Sequence, residues 1–134
     1  MHRAEEVLDY WFGPSDSPEF GERDERWFHG GPVFDAELIE KYSDLYQQAW
    51  NGELNHLRDN WRGCLALILI FDQFSRNMFR RTHRAFAADP RALELAEHAI
   101  EQGFDADRSP NELTFFYLPF EHSEQFEHHE RILP

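Results

Sequence analysis

The sequence predicts an all-α domain of about six helices arranged around one central, buried helix. Three observations lead there. Apolar residues recur at three- and four-residue spacing in several segments. Residues that cap, start and stop helices stand where those segments begin and end. One run alone, residues 65–71, is apolar enough to suggest a buried strand, and a lone strand has nothing to pair with. With 134 residues, 41% hydrophobic and 16% aromatic, the chain has the length of a single domain, 1–134, and enough apolar mass for a core.

Taken in order, Val7, Leu8, Trp11 and Phe12 form one face of a short helix over residues 3–12, ended by Gly13-Pro14. Residues 15–21 read as loop. A short turn over 24–28 presents Trp27 and Phe28 before Gly30-Gly31-Pro32 interrupts the chain. Asp35 is the expected N-cap of the next helix, whose apolar stripe from Leu38 to Trp50 is stopped by Asn51-Gly52. Asp59 or Asn60 then caps the central element, residues 61–77, W-R-G-C-L-A-L-I-L-I-F-D-Q-F-S-R-N. Its first part is apolar on every face, the pattern of a helix enclosed by its neighbours. As a single helix it would be about 25 Å long at 1.5 Å per residue. Asp89-Pro90 supplies an N-cap and a first-turn proline, and Gly103 ends the helix they open. Ser109-Pro110-Asn111-Glu112 is a capping box opening the last helical region, which Pro119 is expected to break or kink. A final run extends over 120–133.

Composition excludes several functions. The formal charge of −13, from 26 acids against 13 bases, repels phosphate backbones, so no nucleic-acid partner is expected. A single cysteine, Cys64, permits no internal disulfide and no cysteine-based zinc cluster, and its apolar surroundings mark it as core filler. The first residues carry acids where a signal peptide needs an apolar stretch, and no run approaches the roughly 20 residues of a membrane span. No membrane partner and a cytoplasmic location are the expectation.

Three groups of residues can carry chemistry. Asp72, Gln73, Arg76 and Asn77 follow directly on eight consecutive apolar residues. Asp72 continues the line of Trp61, Leu65 and Ile68 into the core, where an isolated carboxylate is very costly. Arg76, four residues on, is its expected partner. Such a set is either a structural ion pair with its amides or a ligand site. Arg76, Arg80, Arg81 and Arg84, with His83, form a second group: four arginines within nine residues, read as an anion site or as partners for the chain's own acids. The third runs from Glu121 and His122 through Glu124 to His128 and Glu130. No H-E-x-x-H is present, and Gln125 stands where a Glu-x-x-His pair ending at His128 needs its acid, so no metal is assigned. A solvated acidic helix accounts for that group, except that His122 follows the aromatic block 115–120. Serine-nucleophile, P-loop and dinucleotide motifs are absent, and no cofactor is expected.

The motifs L-I-L-I-F-D-Q-F-S-R-N-M-F-R, A-F-A-A-D-P-R-A-L and F-F-Y-L-P-F-E-H-S-E, with V-L-D-Y-W-F-G and Trp27-Phe28 before them, run through nearly the whole chain. Their order resembles the bacterial family catalogued as domain of unknown function 924. That resemblance implies an all-helical, tetratricopeptide-like array and no established activity. Two departures stand out. Ser75 occupies the place of the proline in the family's D-Q-F-P-R-N, which allows either a cap or an uninterrupted helix. Family members also continue past the position of Pro134 into an R-F-G-R-F-P-H-R-N-like segment, so a pocket lined by both motifs would be half contained here.

The expected function is binding of a small anionic ligand or a peptide carboxylate in a polar cleft. Asp72, Gln73, Arg76 and Asn77 would form it, joined by His122 and Glu124; Arg76 is the anion clamp and Asp72 its orienter. Two alternatives stand beside it. One is a hydrolase or metal-assisted enzyme with His122 as base and Glu124 as partner. The other is a helical interaction scaffold, with a homo-oligomer formed through Phe116, Phe120 and Phe126.

Overall fold

The computed structural model describes residues 3–13 and 31–132, with side chains described as far as Ser123. The turn expected over 24–28 and the loop before it lie outside those residues. Among the described residues every regular element is helical. Helix α1 spans Arg3–Phe12, α2 Gly31–Trp50, and a 3-10 turn Asn55–Asp59. The central element is α3, Trp61–Ile68, continued without a break by a π-helical segment Leu69–Phe74 and a last turn, α4, Ser75–Met78. Then come the single-turn α5, Arg84–Ala87, followed by α6, Asp89–Gln102, and α7, Pro110–Ile132.

Local chemistry sets several boundaries as expected. Asn60 caps α3, its side-chain oxygen accepting from the Gly63 amide at 2.9 Å. The Ser109–Glu112 capping box is formed in both directions, at 3.0 and 3.2 Å. Gly103 closes α6 in the left-handed conformation, φ 76°, which costs glycine no Cβ clash.

Other expectations are corrected. Asp35 is no cap: α2 starts four residues earlier, at Gly31-Pro32, and the Asp35 carboxylate accepts instead from Arg80 Nε at 2.7 Å. Asp89 is no cap either. The residue before it, Ala88, is already in the right-handed helical region (φ −91°, ψ 0°) because the chain arrives from α5, and no side chain caps there. Pro119 does not end the last helix; α7 passes through it and carries His122 on the far side. Phe116 is buried and Phe120 is packed against the core, so the aromatic surface expected to drive association is not exposed at those two positions. The side chain of Phe126 lies outside the described residues.

The buried run extends unbroken from Gly63 to Ser75. Helix α3 contacts α1, α6, α7 and the 3-10 turn, while α2 lies along the π segment and α4. Rings of Tyr10, Trp11, Phe34, Tyr42, Phe74 and Phe115 interlock between these elements, Tyr42 and Phe74 at 5.1 Å between centroids. Ser75 lets the helix run on. Its hydroxyl stands within reach of the Phe71 carbonyl one turn back and of the Ala85 carbonyl at 3.2 Å, which ties α5 to the central element. A proline there would offer neither bond.

Cys64 is fully buried, its Sγ 3.5 Å from the Leu95 carbonyl, and burial pushes the thiol up to about 12. A neutral, enclosed thiol is a poor nucleophile. Native protein is therefore expected to resist iodoacetamide at pH 8 and to take up one equivalent in denaturant. Rapid labelling of the native state would contradict this burial.

Candidate functional site

The π segment places Asp72 at the inner end of the central element, where its side chain is 1% exposed. Oδ1 accepts from Arg76 Nη1 at 3.1 Å and lies 2.8 Å from His122 Nδ1, while Oδ2 accepts from Gln73 Nε2 at 2.8 Å. An ionised carboxylate can only accept, so the His122 proton sits on Nδ1. Three donors from two elements thus converge on one buried acid, which meets the requirement that a buried charge be paired and hydrogen-bonded.

Arg76 does more than pair with Asp72. Nη1 also donates to the Asp72 carbonyl at 2.8 Å, and the guanidinium fork closes on Asp89, at 2.9 Å from Nη1 and 3.0 Å from Nη2. Its charge lies 5.3 Å from the Phe86 ring centroid. Nη1 shares its two hydrogens among three acceptors, while Nη2 uses one of its two on Asp89. Arg76 thus braces the central element against α6. Burial is the largest influence on Asp89 and raises its carboxyl above the ordinary value of 3.8, against the lowering effect of Arg76. An acid that binds its proton more readily when folded contributes stability at low pH, and that contribution declines as pH rises through the window just above 3.8. Urea midpoints between pH 3.5 and 7 should show the wild type losing stability relative to Asp89→Asn across that window. A flat difference would assign no such shift to Asp89.

His122 and Asp89 meet at a pocket of about 250 Å3 whose other walls are Phe86, Pro90, Leu93, Pro119 and Ser123. That volume falls just under the roughly 300–1,000 Å3 of typical ligand pockets, so any occupant is small. The imidazole lines this space while its Nδ1 edge is held by Asp72, so Nε2 is the nitrogen left for an occupant.

The remaining expected site residues divide. Gln73 is buried against Asp72, and Asn77 turns away, its Oδ1 accepting from Arg80 Nη2 at 2.8 Å. The side chain of Glu124 lies outside the described residues. The arginine cluster is dispersed: Arg80 is bound to Asp35, and Arg84 lies over the Phe79 ring at 3.9 Å. Among the described residues no three His, Cys, Asp or Glu side chains are grouped to hold a metal ion, and no helix is long and apolar enough to cross a membrane. Asp89 is the residue that sequence reasoning missed. Its place before a proline marked it as a helix cap and concealed its partner 13 residues away.

Fold and site together define a class: an all-helical protein with a buried aspartate–arginine–histidine network opening on a small apolar pocket. The chain belongs to the family described as "Bacterial protein of unknown function (DUF924)", whose model matches residues 7–134. Among solved structures it is similar to the protein of unknown function ATU0120 from Agrobacterium tumefaciens, with 34% identity and a TM-score of 0.77 over 89% of this chain. The chain spans 63% of the length of that relative. No curated protein matches it.

Proposed function

We propose that this protein binds a small molecule with an apolar body and one hydrogen-bond donor, a hydroxyl or an amide N–H, in the pocket beside His122. The observation that carries the reading is the 2.8 Å bond from His122 to Asp72, which sets the orientation of an imidazole lining an otherwise mostly apolar wall. A polar group positioned by a buried partner among apolar surfaces is the usual composition of a ligand site. Arg76 enters as the brace that holds Asp72 and Asp89, and the ligand's donor meets the accepting Nε2 of His122.

Phenylacetamide, which carries an N–H donor, and phenylacetate, which shares its body and has none, are suitable probes. Titrated into protein labelled at its histidines, phenylacetamide should shift the His122 resonances saturably, and His122→Gln should abolish binding measured calorimetrically. Equal affinities in wild type and His122→Gln would sink this reading. Phenylacetate alone binding would overturn the donor assignment and support the anionic ligand class expected from the sequence.

A second reading rests on the same bond. A histidine whose Nδ1 proton is held by a buried aspartate is arranged as a general base, with Nε2 as the accepting nitrogen. In that reading the pocket holds a substrate and the protein is an enzyme. Turnover of an ester or amide probe, lost in His122→Gln and in Asp72→Asn, would separate it from simple binding.

A further inference from the structure

Among the described residues, Arg3, Arg58, Arg62, Arg76 and Arg80 each pair with a carboxylate. Arg81, Arg84, Arg91 and Arg108 do not. In a chain of net charge −13 an arginine left without an acid is notable. Of these four, Arg91 lines a second pocket, of about 480 Å3, which shares Pro90 with the one beside His122.

Its guanidinium is held in place without a carboxylate partner among the described residues. It stacks 3.9 Å over the Trp50 ring centroid, lies 5.7 Å from that of Phe71, and donates from Nη1 to the Trp50 carbonyl at 2.5 Å. Stacking on an aromatic face orients the plane of the fork and leaves Nη2 and Nε as donors. The same pocket is lined by the neutral amides of Asn51 and Asn55. Asn51 Oδ1 already accepts from Gln47, which leaves the Asn51 Nδ2 hydrogens for a ligand. Glu94, one helical turn along α6 from Arg91, is neutralised by Arg58 through two bonds of 2.8 Å. The lining therefore carries one uncompensated positive charge, flanked by neutral donors.

We infer that this groove is an anion site for a small polar carboxylate, with Arg91 as its bidentate anchor and Asn51 and Asn55 as supporting donors. A planar fork matches a carboxylate. A monoanion also meets less repulsion from the acidic surface than a doubly charged phosphate does. This reading does not rest on the one at His122: the Arg91 groove takes a small polar anion, whereas that pocket takes a ligand with an apolar body.

The test uses acetate as probe, with inorganic phosphate and sodium chloride compared at equal ionic strength, read by amide and side-chain NMR shifts. Acetate should shift the Asn51 and Asn55 side-chain amides and Arg91 Nε saturably. Arg91→Gln should abolish the response. Arg91→Lys, which keeps the charge and loses the fork, should weaken it about tenfold or more. Asn55→Ala, which leaves the Arg91–Trp50 stack in place, should weaken it while the rest of the spectrum stays native, and His122→Gln should leave it unchanged. An equal response to chloride, or one retained in Arg91→Gln, would overturn the site. Preference for phosphate over acetate would overturn the carboxylate assignment.

Discussion

Asp72→Ala is expected to destabilise the protein by about 3–5 kcal/mol, the range seen when one partner of a buried ion pair is removed. The carboxylate is 1% exposed and is the shared acceptor for Arg76, Gln73 and His122. Alanine leaves all three donors facing a space with no acceptor, and Arg76 keeps Asp89 and the backbone carbonyl of residue 72. For a chain of this length the loss corresponds to a fall in Tm on the order of 10–20 °C. Asp72→Asn separates charge from shape. Three donors aim at two oxygens, so an amide must turn its own N–H toward one of them, and a smaller loss of about 1–3 kcal/mol is expected. Urea denaturation of the three proteins measures both steps. A loss below about 1 kcal/mol for Asp72→Ala would show that water or rearrangement replaces the acid and that the network is not structural.

Gly63→Ala is the second large effect, and its sign opposes helix propensity. In an exposed helix interior the change favours the helix by about 1 kcal/mol. Here a Cβ on Gly63 would lie 2.0 Å from the carbonyl oxygen of Leu57 and 2.8 Å from its carbonyl carbon. Those are backbone atoms of the 3-10 turn, which crosses the first turn of α3 and cannot step aside as a flexible side chain can. Overpacking costs typically 1–3 kcal/mol where side chains must yield, and more is expected against main chain, so a net loss of about 2 kcal/mol or greater follows. Thermal denaturation of Gly63→Ala checks it. A variant as stable as wild type would mean that the turn does not pack on α3 as described.

The sequence made the helices legible where their signals are local. Asn60, Gly103 and the Ser109–Glu112 pair act within one turn of themselves, so their roles could be read directly. Asp35 and Asp89 were misread for a complementary reason. A carboxylate before an apolar run looks like a cap, but arginines 45 and 13 residues away in sequence claimed these two. The π segment left no trace, because residues apolar on every face carry no phase for an extra residue per turn to disturb. At the site, the Asp72–Arg76 pair was visible from its four-residue spacing. The approach of His122, 50 residues distant, was suggested only by its place after an aromatic block. The closing of Arg76 on Asp89 and the pocket walls depend on how α5, α6 and α7 meet, which no local pattern encodes.

The central claim is that buried Asp72 fixes the proton of His122 on Nδ1 and leaves Nε2 unbonded among the described residues, free for an occupant of the pocket. Nitrogen-15 shifts of the His122 ring, recorded where the imidazole is neutral, test it directly. The structure predicts a protonated Nδ1 and a bare Nε2 in wild type, with mixed tautomers in Asp72→Ala. A wild-type ring carrying its proton on Nε2 would contradict the account, because Asp72 would then have no hydrogen to accept from His122.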